Sequence, residues 1–208
     1  MHTRKWHTNA VPANVQGILA RLGAEEALEG TYLAGGTALA LYFGHRISMD
    51  LDFFRTALDE EIVLAELHRR HVISVISKGR GTLHLHVEGV KVSLLEYPYP
   101  VLFPYEDFQG LPLADPRDIA CMKLSAIAGR GSKRDFVDCY MLANRFGLSP
   151  LLDLFKSKYS GIHYNLIHVM KSLTYFEDAD KEPMPNMLAD LSWEQVKAFF
   201  LQAVPGLV

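Results

Sequence analysis

The sequence predicts an α+β protein, with a small mixed sheet and flanking helices followed by a C-terminal helical bundle. Three observations carry this. Short apolar or alternating runs, the pattern of strands, fall before residue 97. Beyond residue 116 apolar residues recur at helical spacing. Between them, residues 97–116 (YPYPVLFPYEDFQGLPLADP) hold five prolines, a composition poorly suited to regular structure. The expected organisation is an α/β core over residues 1–110 and a helical domain over residues 111–208.

Taken in order, residues 11–28 carry apolar positions at helical spacing and predict a helix from about Pro12. Residues 31–34 (TYLA) are a short apolar run that stops at Gly35-Gly36, and TALALYFGH then suits a helix with Gly44 as its stop. Residues 47–54 (ISMDLDFF) alternate and predict a strand with one polar face. A charged amphipathic helix follows over 59–70, then strands over 72–77, 82–88 and 90–96, the last two joined as a hairpin around Gly89. The C-terminal text predicts helices over 116–129, 133–146, 149–159, about 163–173, and 192–202. Asp115-Pro116 and Ser132 mark helix starts, and Gly147 marks a stop.

Composition narrows the function classes. With 208 residues, 49% of them apolar and 22% charged, the chain can bury a core without staples. A net charge of −3 supplies no global field for nucleic acid, although a local basic patch is still allowed. Cys121 and Cys139 form no CxxC pair and read as small buried hydrophobes in a reducing compartment, in preference to a redox or metal pair. No apolar run is long enough to span a membrane, and no apolar signal core follows the basic N-terminus, so the expected location is cytoplasmic.

The residues that carry chemistry lie between positions 35 and 52. Gly35-Gly36-Thr37, after a short strand and before a helix, lets a ligand approach the backbone and aims free N–H groups at it, an arrangement that binds phosphate. A plain tight turn is the competing account of two glycines. Thr37 offers a hydroxyl donor. Asp50 and Asp52, at i and i+2 of a strand, share a face. Paired carboxylates on a strand with apolar neighbours Leu51, Phe53 and Phe54 call for a divalent cation, with oxygen ligands suited to Mg2+ (or Mn2+), or else for a half-solvated strand. Together the two motifs describe a site for a metal–nucleoside triphosphate (NTP). Arg46 has the planar fork to steady a phosphate, Ser48 shares the face of the two acids, and His45 reads equally as structural or catalytic.

The stretch YLAGGTALALYFGHRISMDLDFF resembles the AbiEii/AbiGii toxin family of nucleotidyltransferase-like proteins, within the DNA polymerase β-type superfamily. KLSAIAGRGSKRDFVDCYML is similar to that family's Lys-x-x-Ala element (Lys123, Ala126) and its basic–Asp-Phe-x-Asp element (Lys133-Arg134-Asp135-Phe136, Asp138). The resemblance covers roughly residues 30–146. It implies a polymerase β-like core in which Asp50 and Asp52 hold magnesium, while Gly35, Gly36 and Thr37 cradle the triphosphate. Lys123 would face the phosphates, and Asp135 or Asp138 would complete the site. The reaction implied moves a nucleoside monophosphate to an acceptor, RNA or protein, with loss of pyrophosphate. The implied setting is the toxin half of a toxin–antitoxin or phage-defence pair, with a cognate antitoxin as partner and no membrane. Without the resemblance, the Lys123–Asp135–Asp138 helices read equally as a surface ion-pair cluster.

One position departs from the superfamily pattern. Its third carboxylate, on a neighbouring strand, is best matched here by Ser93, which is neither a charged ligand nor a strong base. Three readings follow. Asp135 or Asp138 replaces the missing acid; Glu96 or Glu88 reaches in; or the chain is a non-catalytic nucleotide-binding regulatory module. His84 and His86 share a strand face and read as a polar face near solvent, ahead of a metal pair or a base. Tyr97, Tyr99, Phe103 and Tyr105 read as packing, with base stacking as the alternative. Lys156, Lys158 and Lys171 are too scattered to form a nucleic-acid stripe.

Overall fold

The computed structural model describes residues 4–162 and 164–207. Position 163, the expected start of one helix, lies outside them. The chain divides into two units. One holds the described residues up to Tyr99 together with Tyr105–Ala114, and the other holds Pro100–Pro104 and the chain from Asp115 onward.

The first unit contains α1 (Ala13–Leu22), β1 (Tyr32–Ala34), α2 (Gly35–Phe43), β2 (Leu51–Arg55), α3 (Glu60–Arg70), β3 (Ile73–Gly79), β4 (Thr82–Val87), β5 (Val90–Glu96), β6 (Glu106–Phe108) and β7 (Leu111–Leu113). These strands form one mixed sheet in the order β3-β4-β5-β2-β1-β7-β6. β2 runs parallel to β5 and antiparallel to β1, and β1 runs parallel to β7. Alternation sorts the two faces. Leu33, Leu51, Phe53, Leu83, Leu85, Val92 and Leu94 point to one face and are fully buried there. Ala34, Asp52, Ser93 and His84 are register partners on the opposite face. Each large apolar side chain so buried stabilises the sheet by roughly 1.5–3 kcal/mol. A slip of one residue would drive Asp52 into that core, which fixes the register.

Two turns have positive φ at both central residues, the geometry that matches strand twist. Glu88 and Gly89 (φ 49° and 84°) join β4 to β5, as expected. Gln109 and Gly110 (φ 56° and 86°) join β6 to β7, a hairpin within the segment expected to lack regular structure. α1 also stops sooner than the apolar spacing suggested, at Leu22. Gly23 ends it, and a single 3-10 turn covers Glu26–Leu28.

β2 begins at Leu51, four residues later than expected. Its ladder with β1 starts at Ala34↔Asp52, so the partner for Asp50 would be Gly36, already inside α2. Residues 47–50 find other partners. The Ser48 amide donates to the Ala10 carbonyl, and the Thr37 hydroxyl donates to the Asp50 carbonyl.

The second unit is helical: α4 (Pro116–Gly129), α5 (Lys133–Phe146), α6 (Leu148–Lys158), α7 (Leu166–Ser172), α8 (Glu177–Asp180) and α9 (Trp193–Ala203). Asp115, Ser132, Asn165 and Ser192 cap their helices with side-chain oxygens, Ser192 in a reciprocal box with Gln195. Gly147, at φ 83°, ends α5. Phe136 packs against Phe176, Trp193 and Phe200 at centroid distances of 5.1, 5.8 and 5.7 Å. Cys121 and Cys139 are buried free thiols; burial pushes Cys121 up to about 12 and raises Cys139 as well, so both stay protonated.

Candidate functional site

β1 passes into α2 without a spacer, and two glycines make that possible. Gly35 has φ +68°, and a β-carbon there would lie 2.7 Å from Asp52 Oδ2. A β-carbon on Gly36 would overlap the Arg46 guanidinium and sit 3.3 Å from Ser48 Oγ. The carboxylate and the guanidinium therefore press on the backbone where α2 starts. The N-cap residue, Ala34, makes no side-chain hydrogen bond there, and the first amide N–H groups of α2 carry the positive end of its dipole. Arg46, only 4% exposed, adds a full positive charge beside them. Backbone amides, a guanidinium and a carboxylate thus lie close together where α2 starts.

Asp50 and Asp52 do not share a regular strand as expected: Asp52 lies in β2, and Asp50 lies just before it. Thr37 is buried, and its hydroxyl bridges Ser48 Oγ at 2.9 Å and the Asp50 carbonyl. That hydroxyl is engaged inside the protein, where it positions the backbone of Asp50. Ser48 is buried in the same contact. His45 is buried edge-on to Phe43, centroids 6.1 Å apart.

Across the sheet from Asp52 the register runs to Ser93 on β5 and then to His84 on β4. Ser93 is 3% exposed, and His84 Nδ1 lies 3.0 Å from its hydroxyl. Sequence reasoning missed this contact, though its signal was present. A two-residue turn at Glu88-Gly89 pairs Val87 with Val90, and counting outward sets His84 opposite Ser93. His86 is exposed, opposite Lys91. Glu96 accepts the Leu58 amide at 3.1 Å and Glu88 pairs with Arg21 at 2.7 Å, so neither carboxylate is turned to the third-acid position. Among the described residues no cluster of three or more His, Cys, Asp or Glu side chains is arranged to hold a metal. The Asp52 carboxylate beside the start of α2, with Asp50 two residues before it, is a donor set that would suit magnesium, which takes one or two protein carboxylates and completes its shell with substrate phosphates.

The second unit holds its own polar cluster. Lys123 Nζ lies 2.9 Å from Asp135 Oδ1 and 2.7 Å from Asp138 Oδ2. Arg130 Nε (3.0 Å) and the Ser132 hydroxyl (2.6 Å) donate to Asp135 Oδ2. Asp135 and Asp138 are buried, so this is no surface ion-pair cluster. Burial alone would raise the Asp135 carboxyl, but Lys123, Arg130 and Ser132 outweigh it and hold it at about 2.

The remaining candidates are structural. Tyr32 stacks on Tyr105 (5.0 Å) and Phe54 (5.9 Å), and Phe54 meets Tyr97 edge-on. Phe103 carries the Arg117 guanidinium at 3.5 Å. Lys158 is buried: it donates to the Pro100 carbonyl (2.7 Å) and pairs with Asp118 at 2.6 Å. Asp118 in turn accepts the Leu102 and Phe103 amides.

The chain is 39% identical over 180 residues to the uncharacterized protein aq_aa25 of Aquifex aeolicus (strain VF5), covering 83% of this chain and 85% of that one. Two solved structures share the fold. A putative nucleotidyltransferase from H. pylori aligns at TM-score 0.52 and 15% identity over 97% of this chain and 92% of its own. MenT4, a nucleotidyltransferase toxin from Mycobacterium tuberculosis H37Rv, aligns at TM-score 0.54 and 17% identity over 93% and 84%. The sequence profile described as "Nucleotidyl transferase AbiEii toxin, Type IV TA system" matches residues 17–100 and 74–207. With a nucleotidyltransferase fold and that match over most of its length, the chain belongs to the AbiEii family of nucleotidyl transferase toxins.

Proposed function

We propose that the chain is a metal-dependent nucleotidyltransferase. It moves a nucleoside monophosphate from an NTP to an acceptor hydroxyl on RNA or protein, as the toxin of a toxin–antitoxin pair with a cognate antitoxin. One observation carries the reading: Asp52 and Arg46 converge on the two glycines that open α2. A carboxylate, a guanidinium and the amides that open α2 side by side support a reading in which an anion binds there next to a metal ion.

In this reading Asp50 and Asp52 hold Mg2+ (or Mn2+), which when bound neutralises phosphate charge and polarises the phosphorus under attack. The amides at Gly35, Gly36 and Thr37 bind the phosphate oxygens, Arg46 steadies them, and Ser48 and the Thr37 hydroxyl fix the Asp50 backbone. The family resemblance adds Lys123 as a phosphate partner, its ammonium oriented by Asp135 and Asp138.

The test is incubation of the protein with each labelled NTP, magnesium, and total cellular RNA and protein, beside Asp50→Asn/Asp52→Asn. Label moved by the wild type alone supports the reading and names the nucleotide and acceptor. A second reading rests on Ser93, which stands where a third carboxylate is expected: a non-catalytic nucleotide-binding regulatory module. Magnesium-dependent nucleotide binding without any transfer favours it.

A further inference from the structure

Ser93 and His84 stand side by side next to Asp52 in the sheet. Ser93 lies directly beside Asp52 in the parallel β2–β5 ladder, and His84 lies directly beside Ser93 in the β4–β5 ladder. Neighbouring strands are about 4.8 Å apart, so the three side chains stand in one row on one face of the sheet. Along that row His84 Nδ1 sits 3.0 Å from the Ser93 hydroxyl. Ser93 is buried in the row, while His84 keeps one edge toward solvent. A hydroxyl at hydrogen-bond distance from an imidazole, beside the carboxylate proposed to hold the metal, has the geometry to relay a proton. A serine alone is not a base at neutral pH, whereas a histidine behind it is one.

We propose that His84, acting through Ser93, is the general base of the transfer and replaces the carboxylate that the third strand lacks. This rests on the nucleotidyltransferase reading above. The acceptor hydroxyl gives its proton to Ser93 Oγ as Ser93 passes its own proton to His84 Nδ1. The acceptor oxygen then bonds to the α-phosphorus, and the bond from that phosphorus to the α–β bridging oxygen breaks. Pyrophosphate leaves with that electron pair. The imidazolium returns its extra proton to solvent through its exposed edge. Ser93 touches the reacting hydroxyl, and His84 is its proton sink.

The experiment compares transfer rates, at saturating magnesium and the NTP that labels fastest, for wild type, His84→Gln, His84→Ala, Ser93→Ala and His84→Ala/Ser93→Asp. A general base contributes about 10²–10⁴-fold, so both His84 variants and Ser93→Ala lose at least about a hundredfold in rate. The KM for nucleotide stays within a few-fold, because the row does not bind phosphate. His84→Gln keeps a hydrogen bond to Ser93 but no base, so it fails as His84→Ala does; if His84 merely propped Ser93, glutamine would restore the rate. Added imidazole recovers His84→Ala, and Ser93→Asp in the same background recovers it without imidazole. Full activity in His84→Gln, or no recovery by either imidazole or Ser93→Asp in folded protein, overturns the proposal. A wild type that moves no label overturns the nucleotidyltransferase reading and this inference with it. A wild type that moves label, with His84→Ala equal to it, overturns the base alone.

Discussion

The Oδ2 of Asp52 lies 2.7 Å from the point where a β-carbon on Gly35 would sit, so the carboxylate fills the space a side chain there would need. Gly35 also has φ +68°, a conformation that costs an L side chain about 1–2 kcal/mol. Gly35→Ala is expected to lower unfolding free energy by at least that amount and to weaken magnesium–nucleotide binding more than tenfold. Gly17, exposed in the middle of α1 with open space at its β-position, is the contrast. Gly17→Ala should stabilise the protein by about 0.5–1 kcal/mol and leave nucleotide affinity unchanged. Paired urea melts and calorimetry check both.

Asp50→Asn/Asp52→Asn removes the charges proposed to hold the cation while keeping side-chain shape. The double variant should fold, by circular dichroism, and lose magnesium-dependent nucleotide binding. Unchanged affinity in a folded double variant would remove these two residues from the metal site.

Asp135 makes a pH-dependent contribution whose sign follows from its depressed folded-state value, about 2 against an ordinary 3.8. Its stabilisation is complete above about pH 4 and disappears as pH falls through 2, and the shift corresponds to about 2 kcal/mol. The stability gap between wild type and Asp135→Asn, measured by urea unfolding, should therefore narrow by about that amount between pH 4 and pH 2. A gap independent of pH would mean that the Asp135 charge contributes nothing.

Lys158 and Asp118 form a fully buried pair that also binds the backbone of residues 100–103. Lys158→Met leaves the Asp118 carboxylate buried without its ammonium and should cost about 3–5 kcal/mol. Lys158→Met/Asp118→Asn should cost less than the sum of the two single changes, since the second removes the stranded charge. Additive losses would show that the two residues act independently.

Much of this architecture could be read from the chain because it is written in short-range periodicities. The face that buries Leu51 and Phe53 and turns Asp52 outward follows from alternation alone. Asp115 and Ser132 announced their helices through capping chemistry. Gly35, Gly36, Arg46 and Asp52 were singled out from their spacing, and the structure brings them together. What escaped depends on contacts between distant positions. β2 starts late because β1 has already turned into α2, which alternation within 47–54 cannot reveal. The β6–β7 hairpin was hidden by prolines that outweighed the turn signal of Gln109-Gly110. In the sequence Lys158 is one of three scattered basic residues, and its burial belongs to the packed helices rather than to its neighbours in sequence. His84 looked like a solvated histidine because its partner is defined only once the hairpin register is counted.

The path of the chain through its two units bears on how this gene can be cut. The polypeptide leaves the first unit at Tyr99, returns to it for Tyr105–Ala114, and leaves again at Asp115. A break after residue 99 strips the sheet of β6 and β7, and with them one of the two partner strands of β1. A break after residue 114 takes from the helical unit the amides and carbonyl that Asp118 and Lys158 bind. No single cut yields both halves whole. A single crossover between related genes at either point therefore builds at least one unit of each product from both parents, whose contacts must match within that unit.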